Sequence, residues 1–440
     1  MKKITDLVTP FASVANELNL VGQEFDWLKS MRLKALTQFN QQGLPAKKEE
    51  DWKYTSLWAF SQQAFTHQAG NSSVTAQQCD QLALVDNGYR VVIVDGVFSA
   101  ELSQIEHLPA GLNIRPLSKG LELVKPYLGH QINLEQTGFN ALNTLLMQEG
   151  VVITLDSGIK VDKSIELLVI NSGTTEALAS HLRNVIVLDD SSQATIVEHY
   201  VGLNDAISLT NVVTEVVLAK DAVLNHYKLQ QESKNAFHIA RLAAKQDANS
   251  QWNTNNISLG AKLARNDVHS ELLGEQSHVT MDGLYLVTGD QHVDNHTRID
   301  HAVPNTTSDE LYKGVLDGNS HAIFNGKVIV HKDAQKTDSN QSNRNILLSR
   351  GCEIDTKPEM EIYADDVKCG HGSTVGQLNE DHLFFLRSRG LDEVSARSLL
   401  TYAFAVEVLE RIPANDIKQA LSALVEQHLP RSGEKTVGVV

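Results

Sequence analysis

The sequence predicts a mainly β protein with helices at both ends. From residue 151 to residue 378, short β-branched runs follow one another with turn residues between them. No helical period of any length interrupts this region, which excludes crossover helices. Before and after it, apolar residues recur at helical spacing. The chain therefore divides into a helical and mixed domain (1–150), a β domain (151–378) and a helical domain (379–440).

The first domain begins with a predicted helix over residues 12–43, which ends at Gly43. A charged and aromatic segment follows at residues 47–55. Its composition predicts a surface segment that Trp52 and Tyr54 anchor to the protein.

Short strands without crossover helices are compatible with a sandwich, a propeller or a parallel β-helix. Residues 281–378 are rich in Asn, Asp, His and Ser between strand pairs, and stacked-coil proteins use such polar turns. This composition favours the β-helix, although no strict repeat is visible. The predicted strands include residues 89–94, 151–154, 165–170, 184–188, 195–198 and 212–218.

Three helices are predicted in the C-terminal domain. The first covers residues 380–389 and ends at Gly390, and Asp392 caps the second, which stops before Pro413. The third covers residues 415–429. These helices are too small to form a large core alone, so we expect them to pack on the β domain or on another protein.

Composition excludes several function classes. The formal net charge of −16 argues against nucleic acid or an anionic membrane as the main partner. No signal peptide and no run of about 18 apolar residues is visible, and three cysteines fit a reducing cytoplasm. Phosphate-binding loops, dinucleotide-binding motifs and nucleophile elbows are also missing. We expect a soluble cytoplasmic protein without ATPase or dinucleotide chemistry of the usual types.

Cys369 and His371 are the strongest candidate ligands. Residues i and i+2 of a strand point to the same face, and a thiolate with an imidazole suits zinc, copper or iron–sulfur species. The chain has only Cys79, Cys352 and Cys369, so the missing ligands would come from a second chain. Cys352 precedes Cys369 by 17 residues, which predicts that the two stack on successive coils. For either cysteine, the alternative is a small buried apolar residue.

A second polar stretch covers residues 291–301. On a strand, His292, Asp294 and His296 share one face, but the two histidines would then stand about 13 Å apart, too far for one ion. The pattern predicts a polar strand that faces solvent or an interface, with a metal site as the less favoured alternative.

Several long motifs closely resemble the SufB/SufD family, and the resemblance spans nearly the whole chain. They occupy residues 50–55, 292–296, 335–338, 355–376 and 384–390. The resemblance implies a right-handed parallel β-helix between N- and C-terminal helical domains. It also implies a non-catalytic scaffold subunit of the SufBCD complex, which builds iron–sulfur clusters in the cytoplasm.

The resemblance also implies roles for particular residues. A SufB-type paralogue supplies an acceptor cysteine, while a SufD-type chain supplies a histidine at the heterodimer interface, and His371 matches that position. Cys369 is the neighbour of His371, and Cys352 falls near the position of the paralogue's cysteine.

The implied cofactor is a transient iron–sulfur cluster, or iron, shared with the partner. Reduced flavin is linked to the assembled complex, but no flavin motif is visible here. Alone, the chain would form a homodimer.

The C-terminal helices of the family dock the SufC-type ATPase, which corresponds to residues 381–412 here. The candidate docking residues are Phe384, Phe385, Leu386, Arg387, Arg389, Gly390, Leu399 and Phe404.

Two other classes remain open. One is a carbohydrate-active β-helix enzyme, which would use acidic clusters with Ca²⁺ or paired carboxylates and usually acts outside the cell. The other is a stand-alone metal-binding homodimer.

Overall fold

Most of the chain winds into a parallel β-helix of about eight turns, as predicted. The computed structural model describes residues 11, 14–15, 18, 20–69, 73–173 and 176–429. The strands are β1 (Tyr89–Val94), β2 (Val97–Phe98), β3 (Leu112–Pro116), β4 (Val151–Leu155), β5 (Ile165–Asn171), β6 (Leu178–Leu188), β7 (Gln193–Gly202), β8 (Ser208–Leu218), β9 (Val223–Gln231), β10 (Phe237–Gln246), β11 (Gln251–Ser258), β12 (Leu263–Leu272), β13 (His278–Val287), β14 (His292–His301), β15 (Thr307–Leu316), β16 (His321–Val330), β17 (Asp338–Leu347), β18 (Glu353–Ile362) and β19 (Lys368–Gly376). The helices are α1 (Asp26–Gln42), α2 (Trp58–Ser61), α3 (Ala76–Leu82), α4 (Leu117–Val124), α5 (Gly138–Leu146), α6 (Glu380–Ser388), α7 (Glu393–Leu409) and α8 (Asn415–His428), with a 3₁₀ turn at Glu50–Trp52.

Each turn of the β-helix contributes one strand to each of two sheets. The order in the ten-stranded sheet is β19-β17-β15-β13-β11-β9-β7-β5-β1-β2, and in the nine-stranded sheet it is β18-β16-β14-β12-β10-β8-β6-β4-β3. Successive turns pair in parallel, so Thr307 on β15 lies beside Asp338 on β17. Alternate side chains point between the sheets, and these apolar residues form one continuous core that includes Trp252, Tyr285 and Phe324. Burial of each such side chain contributes about 1.5–3 kcal/mol.

The N-terminal region is built onto the same sheets. Strand β1 pairs in parallel with β5, and β3 pairs antiparallel with β4. The predicted helix over residues 12–43 is shorter than expected, because a turn over residues 21–24 precedes α1. Several residues of its first half lie outside the described part. The helix ends at Gly43, as predicted, where φ is 65°. Trp52 is buried, as predicted for an anchor, but Tyr54 is exposed.

The three C-terminal helices form where they were predicted. Asp392 caps α7 by accepting a hydrogen bond from the Ser395 backbone N–H at 3.0 Å. Helices α7 and α8 share an apolar cluster with residues of the ten-stranded sheet, including Leu284 and Leu311. The domain thus packs on the β-helix, which was one of the two expectations. Within the described residues, no helix is long and apolar enough to cross a membrane.

Candidate functional site

The last turn of the β-helix is open. Strands β18 and β19 stand at the ends of the two sheets, and among the described residues each pairs with a strand on one side only. Earlier strands are mostly buried, whereas β18 is largely half-buried and β19 largely exposed. Ile362, Tyr363 and Val375 at this end are 42%, 61% and 48% exposed. Unpaired backbone N–H and C=O groups at such an edge are ready to pair with another chain.

Cys369 and His371 lie on β19 and share one face, as predicted. They pair in register with Ser339 and Gln341, which are both buried. His371 is exposed, and a Cβ added at Gly372 would meet no atom within 4 Å. The imidazole therefore stands at an unobstructed edge, with bare backbone beside it.

The Cys369 thiol is half-buried against the interior core. Burial raises its pKa, and the negative charge of Asp338 adds to that effect. The thiol is therefore protonated at neutral pH. A metal ion or another positive charge is needed to convert it into a thiolate ligand.

Cys352 does not stack on Cys369, so that prediction is wrong. A whole coil separates residues that pair in register, and the residue one coil before Lys368 is Asp338. The interval from Cys352 to Cys369 is therefore only part of a coil, and it leads from one sheet to the other. Cys352 is buried just before β18, and its thiol donates to the carbonyl oxygen of Ser349 at 2.8 Å. It occupies the position of a small buried residue.

No third ligand joins Cys369 and His371 in the part of the chain that the structure describes. Among these described residues, neither Cys369 nor His371 belongs to a group of three His, Cys, Asp or Glu ligand atoms that all lie within 4.8 Å of one another. The residues that continue the column of His371 into the β-helix are Gln341 and Glu310. Gln341 Nε2 donates to Glu310 Oε2 at 2.7 Å, and burial raises the pKa of Glu310 to about 7. A polar column thus runs from the interior to the open end.

The polar face of β14, predicted to face solvent or an interface, is instead largely covered by other residues of the same chain. Asp294 is 1% exposed, and its Oδ2 accepts hydrogen bonds from Thr55 at 2.5 Å and from Arg265 at 2.6 Å. Burial alone would raise the pKa of Asp294, but Arg265 and His296 hold it well below its usual range. The Arg265 guanidinium also lies 4.1 Å from the centre of the Trp52 ring. The segment 50–55 is therefore fixed onto this strand.

The predicted docking residues on α6 and α7 differ in exposure. Phe384, Phe385 and Leu399 are 75%, 55% and 46% exposed, and Arg389 lies over the Phe385 ring at 5.1 Å. Arg387, Arg389 and Gly390 are also exposed, whereas Leu386 is half-buried. Phe404 packs against the β-helix, where the Lys313 ammonium lies 4.3 Å from its ring centre. Six of the eight residues are thus exposed, whereas Phe404 packs against the apolar cluster that α7 shares with the β-helix.

The structure defines the class of protein as a parallel β-helix with helical regions at both ends and an open last turn. Residues 169–404 match the family model described as SUF system FeS cluster assembly, SufBD core domain. Residues 2–167 match the SufBD protein N-terminal region. The chain belongs to the SufBD family of iron–sulfur cluster assembly proteins, and the resemblance seen in the sequence is confirmed.

Relatives of similar length support this assignment. The chain is 33% identical over 400 residues to the iron–sulfur cluster assembly protein SufD of Escherichia coli, covering 90% of this chain and 92% of the relative. It is 30% identical to an iron–sulfur cluster assembly SufBD family protein of Synechocystis, covering 96% and 95%. It is 24% identical to SufD of Bacillus subtilis, covering 92% and 94%.

Proposed function

We propose that this chain is a SufD-type, non-catalytic scaffold subunit of a cytoplasmic SufBCD complex. The observation that carries the proposal is the open edge at β18 and β19, which presents the exposed imidazole of His371. The similarity to proteins named SufD supports the subunit type.

The partner at this edge is a SufB-type paralogue with a similar β-helix. Its terminal strands would continue the two sheets, because β18 and β19 have no described neighbour on their outer sides. Such pairing would cover the exposed apolar side chains of Ile362, Tyr363 and Val375. When the paralogue is missing, the same edge allows a second copy of this chain to bind.

His371 is the main ligand contributed to the shared site. The nascent cluster or iron is cargo in this scheme, and the partner supplies the remaining ligands. Cys369 assists once a metal lowers the pKa of its thiol. Cys352 has no ligand role, since its thiol is buried and donates to backbone carbonyls. Reduced flavin in the whole complex stays a prediction of the family resemblance alone.

The exposed surface of α6 and α7 docks the SufC-type ATPase. Exposed apolar side chains commonly mark partner sites, and Phe384 and Phe385 on α6 and Leu399 on α7 are exposed. Arg387 and Arg389 supply positive charge at the rim. Phe404 supports this surface from beneath by holding α7 on the β-helix.

The edge is tested by Val375→Lys in the chain co-expressed with its paralogue and ATPase. A buried lysine without a partner is costly, so the heterodimer should be lost in native mass spectrometry. Val97→Lys is the matched control, because Val97 is 56% exposed on β2 at the other end of the same sheet. Normal heterodimer with Val375→Lys would refute the proposed interface.

The docking surface is tested by Leu399→Ala combined with Phe384→Ala. ATPase pull-down should fall while the heterodimer persists, because the two surfaces are separate. Leu33→Ala is the control, since Leu33 is 65% exposed on α1. Undiminished ATPase binding would place the docking site elsewhere.

A further inference from the structure

A second group of potential ligands lies on the outer face of the nine-stranded sheet. His321 on β16 pairs in register with Glu353 on β18, and Asp355 is two residues further along the same face. The ligand atoms of these three side chains all lie within 4.8 Å of one another. Adjacent strands stand about 4.8 Å apart, so the register itself brings the three side chains together.

We propose that His321, Glu353 and Asp355 bind a divalent first-row transition-metal ion, such as Fe²⁺ or Zn²⁺. One imidazole nitrogen and two carboxylate oxygens form a donor set that these ions accept, with positions left open for water. Ligand atoms around a four-coordinate ion lie roughly 3–4 Å apart, so small side-chain rotations would close the site. The site needs no partner chain, and it does not depend on the proposed scaffold role.

The charges of the cluster favour a cation. The Asp355 carboxylate lies 2.8 Å from Nε2 of His321, and the Glu353 carboxylate has no ion-pair partner among the described residues. The nearby Lys357 pairs instead with Glu50 and Glu359. Two carboxylates at this separation repel each other, and a bound divalent ion would offset that repulsion.

Neighbouring residues hold the His321 ring in place and leave a cleft through which a metal ion could enter. The His292 ring packs edge-on against the His321 ring, with the ring centres 4.9 Å apart. His292 is itself held by Thr55, whose hydroxyl lies 2.9 Å from its Nε2. A cleft lined by Asp294, His296, Asp355 and Lys357 opens beside the cluster.

Another histidine–carboxylate cluster on the same sheet offers a contrast. Asp300 contacts Arg298, His269 and His331, so its charge is already compensated by an arginine. Glu271 lies 4.0 Å from His269, but within the described residues the ligand atoms of this cluster do not form a group of three that all lie within 4.8 Å of one another. His331 therefore provides a control of the same chemical type on the same sheet.

The test uses the isolated full-length chain, stripped with a chelator and titrated with Co²⁺, Zn²⁺ and, anaerobically, Fe²⁺. One equivalent of Co²⁺ should bind with the visible bands of nitrogen and oxygen coordination. Removing a group that only orients a metal ligand lowers metal affinity by on the order of 10–100-fold. Asp355→Asn and Glu353→Gln each remove a ligand itself, so each should lower the metal affinity at least as much. His331→Gln should bind like the wild type.

Two results would overturn the proposal. Intense thiolate-to-cobalt charge-transfer bands would place the ion at a cysteine. Titration curves of Asp355→Asn and Glu353→Gln that superimpose on the wild-type curve would show that these carboxylates bind no ion. Thermal melts separate loss of binding from loss of folding: Zn²⁺ should raise the melting temperature of the wild type but not that of folded Asp355→Asn.

Discussion

The buried carboxyl of Glu310 is expected to make the stability of the β-helix depend on pH. Its side chain is 1% exposed, and burial raises its pKa from 4.5 to about 7. The neutral side chains of Gln341 and Thr297 offset this rise only in part. Glu310→Gln preserves the shape and the acceptor oxygen but removes the charge. We therefore expect this substitution to stabilise the protein at alkaline pH.

Proton linkage sets the sign and the size of this pH dependence. Between pH 4.5 and 7 the folded state binds the proton more tightly than the unfolded state, so the free energy of unfolding falls as the pH rises. Above pH 7 the Glu310 carboxyl is ionised in both states, and its burial as a charge lowers the free energy of unfolding by the full penalty of about 3 kcal/mol. At pH 5 less than about 1 kcal/mol of that penalty has developed. Glu310→Gln removes the penalty and should therefore act mainly at pH 8.

Urea unfolding, followed by tryptophan fluorescence at pH 5 and pH 8, measures this difference. The denaturation midpoint of Glu310→Gln should rise clearly at pH 8 and only slightly at pH 5. Glu101→Gln is the control, because Glu101 is exposed. Equal shifts at both pH values, or destabilisation at pH 8, would show that the Glu310 charge is compensated in the fold.

Two further substitutions test how the β-helix is held together. Arg265→Met removes the guanidinium that pairs with the buried Asp294 and the half-buried Asp267, so it should lower the free energy of unfolding by about 3–5 kcal/mol and expose the segment 50–55 to proteolysis. Unchanged unfolding and cleavage would contradict this. Gly150→Ala would place a methyl group 1.9 Å from the backbone oxygen of Arg183, so little folded protein should be recovered, and a wild-type melt would refute the close packing.

The strands were predictable from the sequence, but the coil length was not. β-branched runs such as residues 165–170 and 212–218 lie within β5 and β8. The spacing between paired strands varies, however, because the turns differ in length. Gln251 pairs with His278, whereas Thr307 pairs with Asp338, and the second interval is longer than the first. Without a strict repeat, the sequence does not show that the interval from Cys352 to Cys369 is only part of a coil.

The site was predictable only where it depends on local geometry. Cys369 and His371 share a face because of the strand period alone. Arg265 and Thr55, which fix the polar face of β14, were missed, because Thr55 and Asp294 meet across 239 residues of sequence. The family resemblance, together with the apolar pattern of α7, also placed Phe404 among the docking residues. The pattern marks apolar faces, but it does not tell which one the β-helix covers.

The central claim is that His371 provides a ligand for a cluster shared with the partner. The most direct test is the iron and sulfide content of the reconstituted complex containing His371→Ala. The substitution lies at an exposed strand position, so it should change stability by only about 0.5 kcal/mol. We predict a complex that assembles and melts like the wild type but holds no cluster. Wild-type iron and sulfide in that complex would contradict the ligand role.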